Sequence, residues 1–308
     1  MASSLTYPTP AVTGTENLTS EQIHAFLLSK TLFARRVRDI AAQRFIANAL
    51  LKARLRVEGG AILYEGGEPL FAADDPEVVA PGGEIPRSQV YTGDLAGAAV
   101  EKLARDVPIF DESIKRRGID VVNKTINQLV NTMVRYVDSA ALGVIASKVS
   151  QSINAIGSWT TVDGIVRSIE MTKAIAEESG EGHTLDTIVL KPTAYASVMA
   201  TFLAAGLLPR EQNNPLLTGT WPTVLDTTWL RSSHTPTAAP LFVDTDELGG
   251  MADQTDVSPG YTSAGDGIET KSLREDKDFE GYLVRARRIT VPVVTDATAA
   301  YAITGTGL

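Results

Sequence analysis

Residues 57–95 cannot form a continuous helix, and that constrains what the rest of the chain can build around them. The stretch reads VEGGAILYEGGEPLF and then AADDPEVVAPGGEIPRSQVYTGD. Gly59, Gly60, Gly66, Gly67, Gly82, Gly83 and Gly93 punctuate it, with prolines that include Pro69, Pro76 and Pro86. Both residue types oppose a helix interior, glycine through backbone entropy and proline through its missing N–H. Short extended pieces remain, Ala61–Tyr64 and Glu77–Ala80, separated by turn signals such as Gly66-Gly67. A connection this long without a helix is uncommon inside a compact domain, so an arm that reaches outward is expected.

Charge sharpens the expectation. Residues 57–95 hold eight acids against the single base Arg87, a net −7, and Asp74, Asp75 and Glu77 sit close together. The preceding stretch, 30–56, holds eight bases, Arg35, Arg36 and Arg38 among them, against Asp39 alone, a net +7. Two such segments can fold back on each other, pair with their opposites on a neighbouring copy, or remain solvated faces. In a symmetric assembly the second arrangement would set register and steer encounter more than it would add affinity. The arginines have a further possible partner in DNA. The candidate contact residues are therefore Arg35, Arg36, Arg38, Asp74, Asp75 and Glu77.

The 308 residues suffice for one large or two ordinary domains, and 44% hydrophobic with 21% charged content excludes wholesale disorder. The absence of cysteine removes disulfides, thiolate metal sites and thiol nucleophiles together. No apolar run approaches the roughly 20 residues that a membrane-spanning helix needs. The opening MASSLTYPTPAVTGTENLTS has no basic region followed by an apolar one, so a soluble protein made in a cytoplasm is expected. A net charge of −9 argues against wrapping nucleic acid over the whole surface.

Along the chain, residues 1–20 are expected to be extended or mobile, with Ser20 as a helix N-cap and a second helix over about 32–55. Arg117–Lys148 carries the strongest helical signal. Val122, Ile126, Leu129, Met133, Val137, Ala140 and Val144 recur at spacings of three and four, and Asn123, Asn127, Gln128 and Asn131 fall on the expected wet side. From Trp159 the texture becomes α/β: a helix over Val162–Glu178, a buried strand over 186–190 and a helix from Pro192. A turn over Leu216–Pro222, strands over Thr223–Leu230 and Ala239–Asp244, a surface loop over 248–267 and a long strand over Tyr282–Thr290 complete the reading.

No catalytic constellation emerges. His24, His183 and His234 lie far apart without partners at metal-ligand spacing, and each is expected on the surface or in a turn. There is no G-x-S-x-G elbow, P-loop or G-x-G-x-x-G. No cofactor, metal or catalytic residue is expected, and an α/β enzyme without recognisable motif is the more distant alternative.

Taken in order, FARRVRDIAAQRFIANALL (33–51), GGAILYEGGEPLFAADDPEVVAPGGEIP (59–86), DTIVLKPTAYASVMA (186–200), NNPLLTGTWPTVL (213–225), APLFVD (239–244) and the stretch 275–305 resemble the major capsid proteins of tailed double-stranded DNA phages. The resemblance is to the short form found in phages of actinobacteria. It implies an α+β fold with an N-terminal arm (1–56) and an extended β-hairpin loop (57–95). A peripheral domain with a long spine helix (96–155, with 266–295) and an α/β axial domain (156–265, with 296–308) would follow. It also implies self-assembly through hexamers and pentamers into an icosahedral head enclosing double-stranded DNA, with scaffolding, portal and decoration proteins as candidate partners. Assembly in the host cytoplasm, a place in the virion and no contact with a membrane go with it. Some relatives cross-link through a lysine in the extended loop; residues 57–95 contain none, so no such bond is expected here. An encapsulin-like nanocompartment is the nearer alternative.

Overall fold

The computed structural model describes residues 18–41, 45–67, 74–79, 81–89, 92–206, 223–254, 256–277 and 279–308. The expectations for residues 1–17 and for the turn at 216–222 lie outside them. The chain divides into two compact units.

Unit one comprises residues 1–44, 102–134 and 255–289. Helix α1 (Ser20–Leu28) is capped by Thr19, not Ser20. The Thr19 hydroxyl accepts from the Gln22 backbone N–H at 3.4 Å, while the Gln22 side chain accepts from the Thr19 N–H at 3.0 Å, a reciprocal capping box. Helix α2 (Lys30–Ala41) buries Phe33, Ala34, Val37 and Ala41 at helical spacing. That face packs on the antiparallel pair β11 (Thr262–Gly265) and β12 (Ile268–Glu275). In the same unit β12 pairs with β13 (Gly281–Val294) from Ile268↔Arg288 to Glu275↔Gly281, and β4 (Glu101–Phe110) also pairs with β13. Helix α4 (Asp111–Arg117) ends at Gly118, whose φ of +61° turns the chain into α5 (Ile119–Lys148).

Helix α5 is 30 residues long, about 45 Å at 1.5 Å per residue. Val122, Ile126, Leu129, Met133 and Val137 are buried as expected. The stripe then continues through Ala141, Leu142 and Ile145, whereas Ala140 is exposed and Val144 half-buried. A helix at 3.6 residues per turn drifts away from a strict alternation of three and four, which explains the shift. Gln128 and Asn131 are on the wet side; Asn123 and Asn127 are half-buried at its edge.

Unit two comprises residues 45–101, 135–254 and 290–308. Among the described residues the expected helix over 32–55 does not continue through 45–55. The chain instead forms a single turn, α3 (Ala47–Leu50), and a strand, β1 (Ala53–Arg56). Buried Asp138 accepts from the Ala47 and Ile46 N–H groups at 2.9 and 3.4 Å, satisfying the start of α3. Ala53, Arg54, Leu55 and Arg56 alternate half-buried and exposed, a period of two that a helical reading of the arginines obscured.

A second difference concerns residues 248–267. Their glycine and aspartate content suggests a loop, yet β10 (Gly249–Asp253) is buried along its whole length, between β1 in parallel and residues 290–294 of β13 in antiparallel. The glycines are there for close approach. A Cβ on Gly250 would stand 2.5 Å from the Ala53 carbonyl oxygen, and one on Gly249 (φ +147°) would stand 2.2 Å from that of Val293. Gly250→Ala is expected to cost roughly 1–3 kcal/mol, read as a fall in thermal midpoint, whereas alanine at exposed Gly97 has only a yielding Leu63 methyl at 3.3 Å to meet.

The larger sheet of unit two runs β5 (Ser152–Asn154), β14 (Ala300–Thr304), β9 (Leu241–Val243), β6 (Thr187–Leu190), β8 (Thr227–Arg231), β7 (Thr223–Val224). Helices α6 (Val162–Glu178) and α7 (Pro192–Ala204) pack against it around Trp159, Trp229, Phe202 and Phe242. Phe202 meets Trp229 edge to face at 5.5 Å between ring centres. The expected strand over 223–230 is a hairpin: Leu225 and Asp226 adopt φ of 58° and 53°, and the Lys173 ammonium donates to the Leu225 carbonyl at 2.8 Å.

Candidate assembly surfaces

The two ends of the glycine- and proline-rich stretch come together as a two-stranded antiparallel ribbon. Strands β2 (Ala61–Gly66) and β3 (Asp94–Ala99) pair from Ala61↔Ala99 to Gly66↔Asp94. Alternation gives the ribbon two unlike faces. Ile62, Tyr64 and Ala98 pack with Val100 and Leu55 on Val57, Ala252 and Val293, which anchors the base. Leu63 and Leu95 point the other way and are 72% and 69% exposed. Gly67 N–H donates to the Thr295 carbonyl at 2.9 Å just beyond the last pair.

Past the ribbon, residues 74–79 and 81–89 have no strand or helix, so the expected extended piece at Glu77–Ala80 is not a paired strand in residues 77–79; Ala80 lies outside the described residues. Every described side chain from Asp74 to Gln89 is exposed, Val78 and Ile85 included. Apolar side chains fully in water on a segment without its own core are what an intermolecular contact would cover. Asp74, Asp75 and Glu77 lie here, all exposed. Arg35, Arg36 and Arg38 lie on the exposed side of α2 in unit one. Among the described residues the single ion pair made by any of these six is Arg38 with its neighbour Asp39, at 3.8 Å. The two triplets belong to separate units, and apart from the Arg38–Asp39 pair no described residue forms an ion pair with them.

Charges of a different kind brace the β4–β13 region. Arg285 grips Asp106 with two nitrogens and donates a third hydrogen bond to the Tyr261 hydroxyl at 3.0 Å. Arg274 grips Asp111 at 2.7 and 3.0 Å and also bonds Asp276 at 2.8 Å. Arg287 and Glu269 form a buried pair, with the guanidinium 3.7 Å from the centre of the Tyr261 ring. Sequence reading missed this lattice, because its partners are brought together only by strand pairing.

One of these pairs makes a pH prediction. The hydrogen bonds from Arg285 hold the Asp106 carboxyl below its ordinary range, against an opposing push from burial. A group depressed in the folded state stabilises above its unfolded value, about 4, and that stabilisation is lost as pH falls through the folded value. Asp106→Asn should therefore lower the thermal midpoint at pH 7, and the gap from the parent protein should shrink steadily below about pH 4. A gap independent of pH would contradict the assignment.

The histidines do not form a site. His24 bonds the Tyr282 hydroxyl at 3.0 Å, and His234 lies within a serine-rich turn. His183 is buried, contrary to expectation, 2.9 Å from the Thr298 hydroxyl and 3.4 Å from carboxylate oxygens of Glu181 and Asp296. No group of three or more histidines or acids among the described residues is arranged to hold a metal ion. Nor is any described helix long and apolar enough to cross a membrane.

The family described as phage capsid protein matches residues 95–303, about two thirds of the chain. A search of curated proteins finds no match. Three solved structures share the fold. The capsid of Cyanophage P-SCSP1u aligns with a TM-score of 0.56 at 12% identity, over 82% of this chain and 85% of that one. A structure from Microbacterium phage Oxtober96 aligns at 0.53 and 13%, over 84% and 90%. The holo-SrpI encapsulin complex of Synechococcus elongatus PCC 7942 aligns at 0.53 and 13%, over 83% and 85%.

Proposed function

Because the chain belongs to the phage capsid protein family, we propose that it is the major subunit of a phage head, assembling with copies of itself around double-stranded DNA. Its role is structural and its place is the virion. The observation that carries the assembly mode is the ribbon: a base anchored on its own unit, an exposed outer face, and an acidic, apolar tip with no packing of its own. In this reading residues 1–56 act as an arm, 57–95 as the extended loop, 96–155 with 266–295 as the peripheral domain, and 156–265 with 296–308 as the axial domain. Hexamers and pentamers assemble in the host cytoplasm, with portal, scaffolding and decoration proteins as the further partners such a head requires.

The second reading is an encapsulin-like compartment, favoured by the fold shared with the encapsulin complex. Expression of the full chain, alone and together with the other head genes, followed by negative-stain microscopy and nuclease digestion, separates the two. Angular shells that retain nuclease-protected DNA when produced with the rest of the head genes support the capsid. Shells that enclose only protein support the compartment, and the absence of shells overturns both. With no lysine in residues 57–95 and no cysteine anywhere, boiled shells should run as monomers near 32.8 kDa.

We further propose that Arg35, Arg36 and Arg38 meet Asp74, Asp75 and Glu77 of a neighbouring copy. Each exposed pair contributes little, roughly 0–1 kcal/mol, and is screened beyond about 8 Å at physiological salt. Repeated around a shell, such pairs set the rate of assembly more than the strength of the product. Reversing the three arginines to glutamate should slow assembly followed by light scattering, and reversing the three acids to lysine as well should restore part of the rate. Simple additivity would show that the segments never meet. If the arginines face DNA instead, the triple reversal leaves empty-shell assembly intact and reduces only the DNA retained.

A further inference from the structure

We infer that the cleft beside Tyr261 in unit one binds phosphate groups of the enclosed DNA. The inference rests on the capsid reading above and adds to it a location. An open cleft of about 600 Å³ is lined by Lys102, Ala104, Arg105, Asp106, Tyr261 and Arg285. Lys271 stands over the Tyr261 ring at 5.4 Å and Arg287 at 3.7 Å. Five cations therefore line or flank one cleft in a chain whose formal net charge is −9.

Two of the five are already matched. Arg285 is held by Asp106 and Arg287 by Glu269. Lys102, Arg105 and Lys271 carry the surplus of three charges, and Lys102 and Arg105 are exposed. None of the three forms an ion pair among the described residues. Burial pushes the Tyr261 phenol up, yet the Arg285 hydrogen bond and the charges of Arg285, Arg287 and Lys271 bring it below its ordinary value. Arg287 is already stacked 3.7 Å from the centre of the ring and Lys271 stands over it at 5.4 Å, so the cleft suits a backbone phosphate better than a stacked base. Lysines and arginines fixed beside a braced guanidinium are the groups that neutralise phosphodiesters and release their counterions.

The test uses the full chain as unassembled subunits with a fluorescent 20-base-pair duplex, following anisotropy from about 50 to 200 mM salt. Lys102→Gln with Arg105→Gln should weaken binding by about tenfold or more at the lowest salt. It should also flatten the slope of log affinity against log salt by about one for each cation removed. Both side chains are exposed, so the variant is expected to fold, which circular dichroism verifies. Lys115→Gln with Arg117→Gln, both exposed on α4, should leave the slope unchanged. An unchanged slope for the cleft variant overturns the inference. So does lost shell assembly with duplex affinity retained, which would assign the cleft to an acidic segment of a second copy. Binding of inorganic phosphate without the duplex would also overturn it, as a site for the free ion only. The capsid reading is judged separately, by shells and protected DNA in microscopy and digestion, so its failure is distinguishable from failure of the cleft.

Discussion

Replacing residues 67–93 by a two-residue Asn-Gly turn is expected to leave a folded, soluble subunit that no longer forms shells. The register dictates where to cut. Gly66↔Asp94 is the last pair of the ribbon, and a two-residue turn of this type matches the twist of the strands it joins. Cutting deeper, into residues 60–66, would strip β2 from β3 and uncover Ala98, Val100, Ala252 and Val293, which would confuse loss of assembly with loss of fold. The described side chains of the excised segment from Asp74 to Gln89 are all exposed. Thermal unfolding of the shortened chain should stay close to that of the parent, while scattering and microscopy find no shells. Shells of normal yield would show that the segment is dispensable and that the ribbon alone makes the contact.

The second large effect is expected inside α5. Ile126→Asp puts a charge at a position with no solvent exposure, and an unpaired buried charge typically costs about 3–5 kcal/mol. That is a large share of the roughly 5–15 kcal/mol that holds most domains folded, so the variant should lose most of its soluble yield. Gln128→Asp, two residues on and exposed, should change stability by less than about 0.5 kcal/mol. Denaturant titration of whatever soluble protein remains gives the comparison. Equal losses would mean that the buried face of α5 has been misassigned.

Long periodic elements were legible in the sequence. Helix α6 occupies residues 162–178 as its apolar spacing indicated, and Pro192 opens α7 where its fixed φ favours the first helical turn. The absence of helix among the described residues of 57–95 followed from glycine and proline alone. Residues 53–56 and 249–253 were not legible, for opposite reasons. In the first, a strand of four residues is too short for its alternation to stand out from the arginine-rich helical stretch before it, and the pairing with β10 decides. In the second, Gly249 and Gly250 look like turn residues until Ala53 and Val293 are found against their backbones. The six candidate contact residues are exposed, and charge pattern alone does not say what they meet. The Arg285–Asp106 and Arg287–Glu269 pairs escaped notice, since 179 and 18 residues separate their partners.

The ribbon has a consequence for the subunit before it finds its neighbours. A pair of strands has two open edges, each a row of unpaired amide groups that could template another strand and start a fibre. Leu63 and Leu95, exposed on the same face, would make such stacking more favourable. Glu65 and Asp94 stand at the outer end of the pair, followed by more acids, so two ribbons approaching edge to edge bring like charges together. The acidity of this segment therefore acts as a gatekeeper: it keeps freshly made chains from polymerising through the wrong edge while they wait for the right partner.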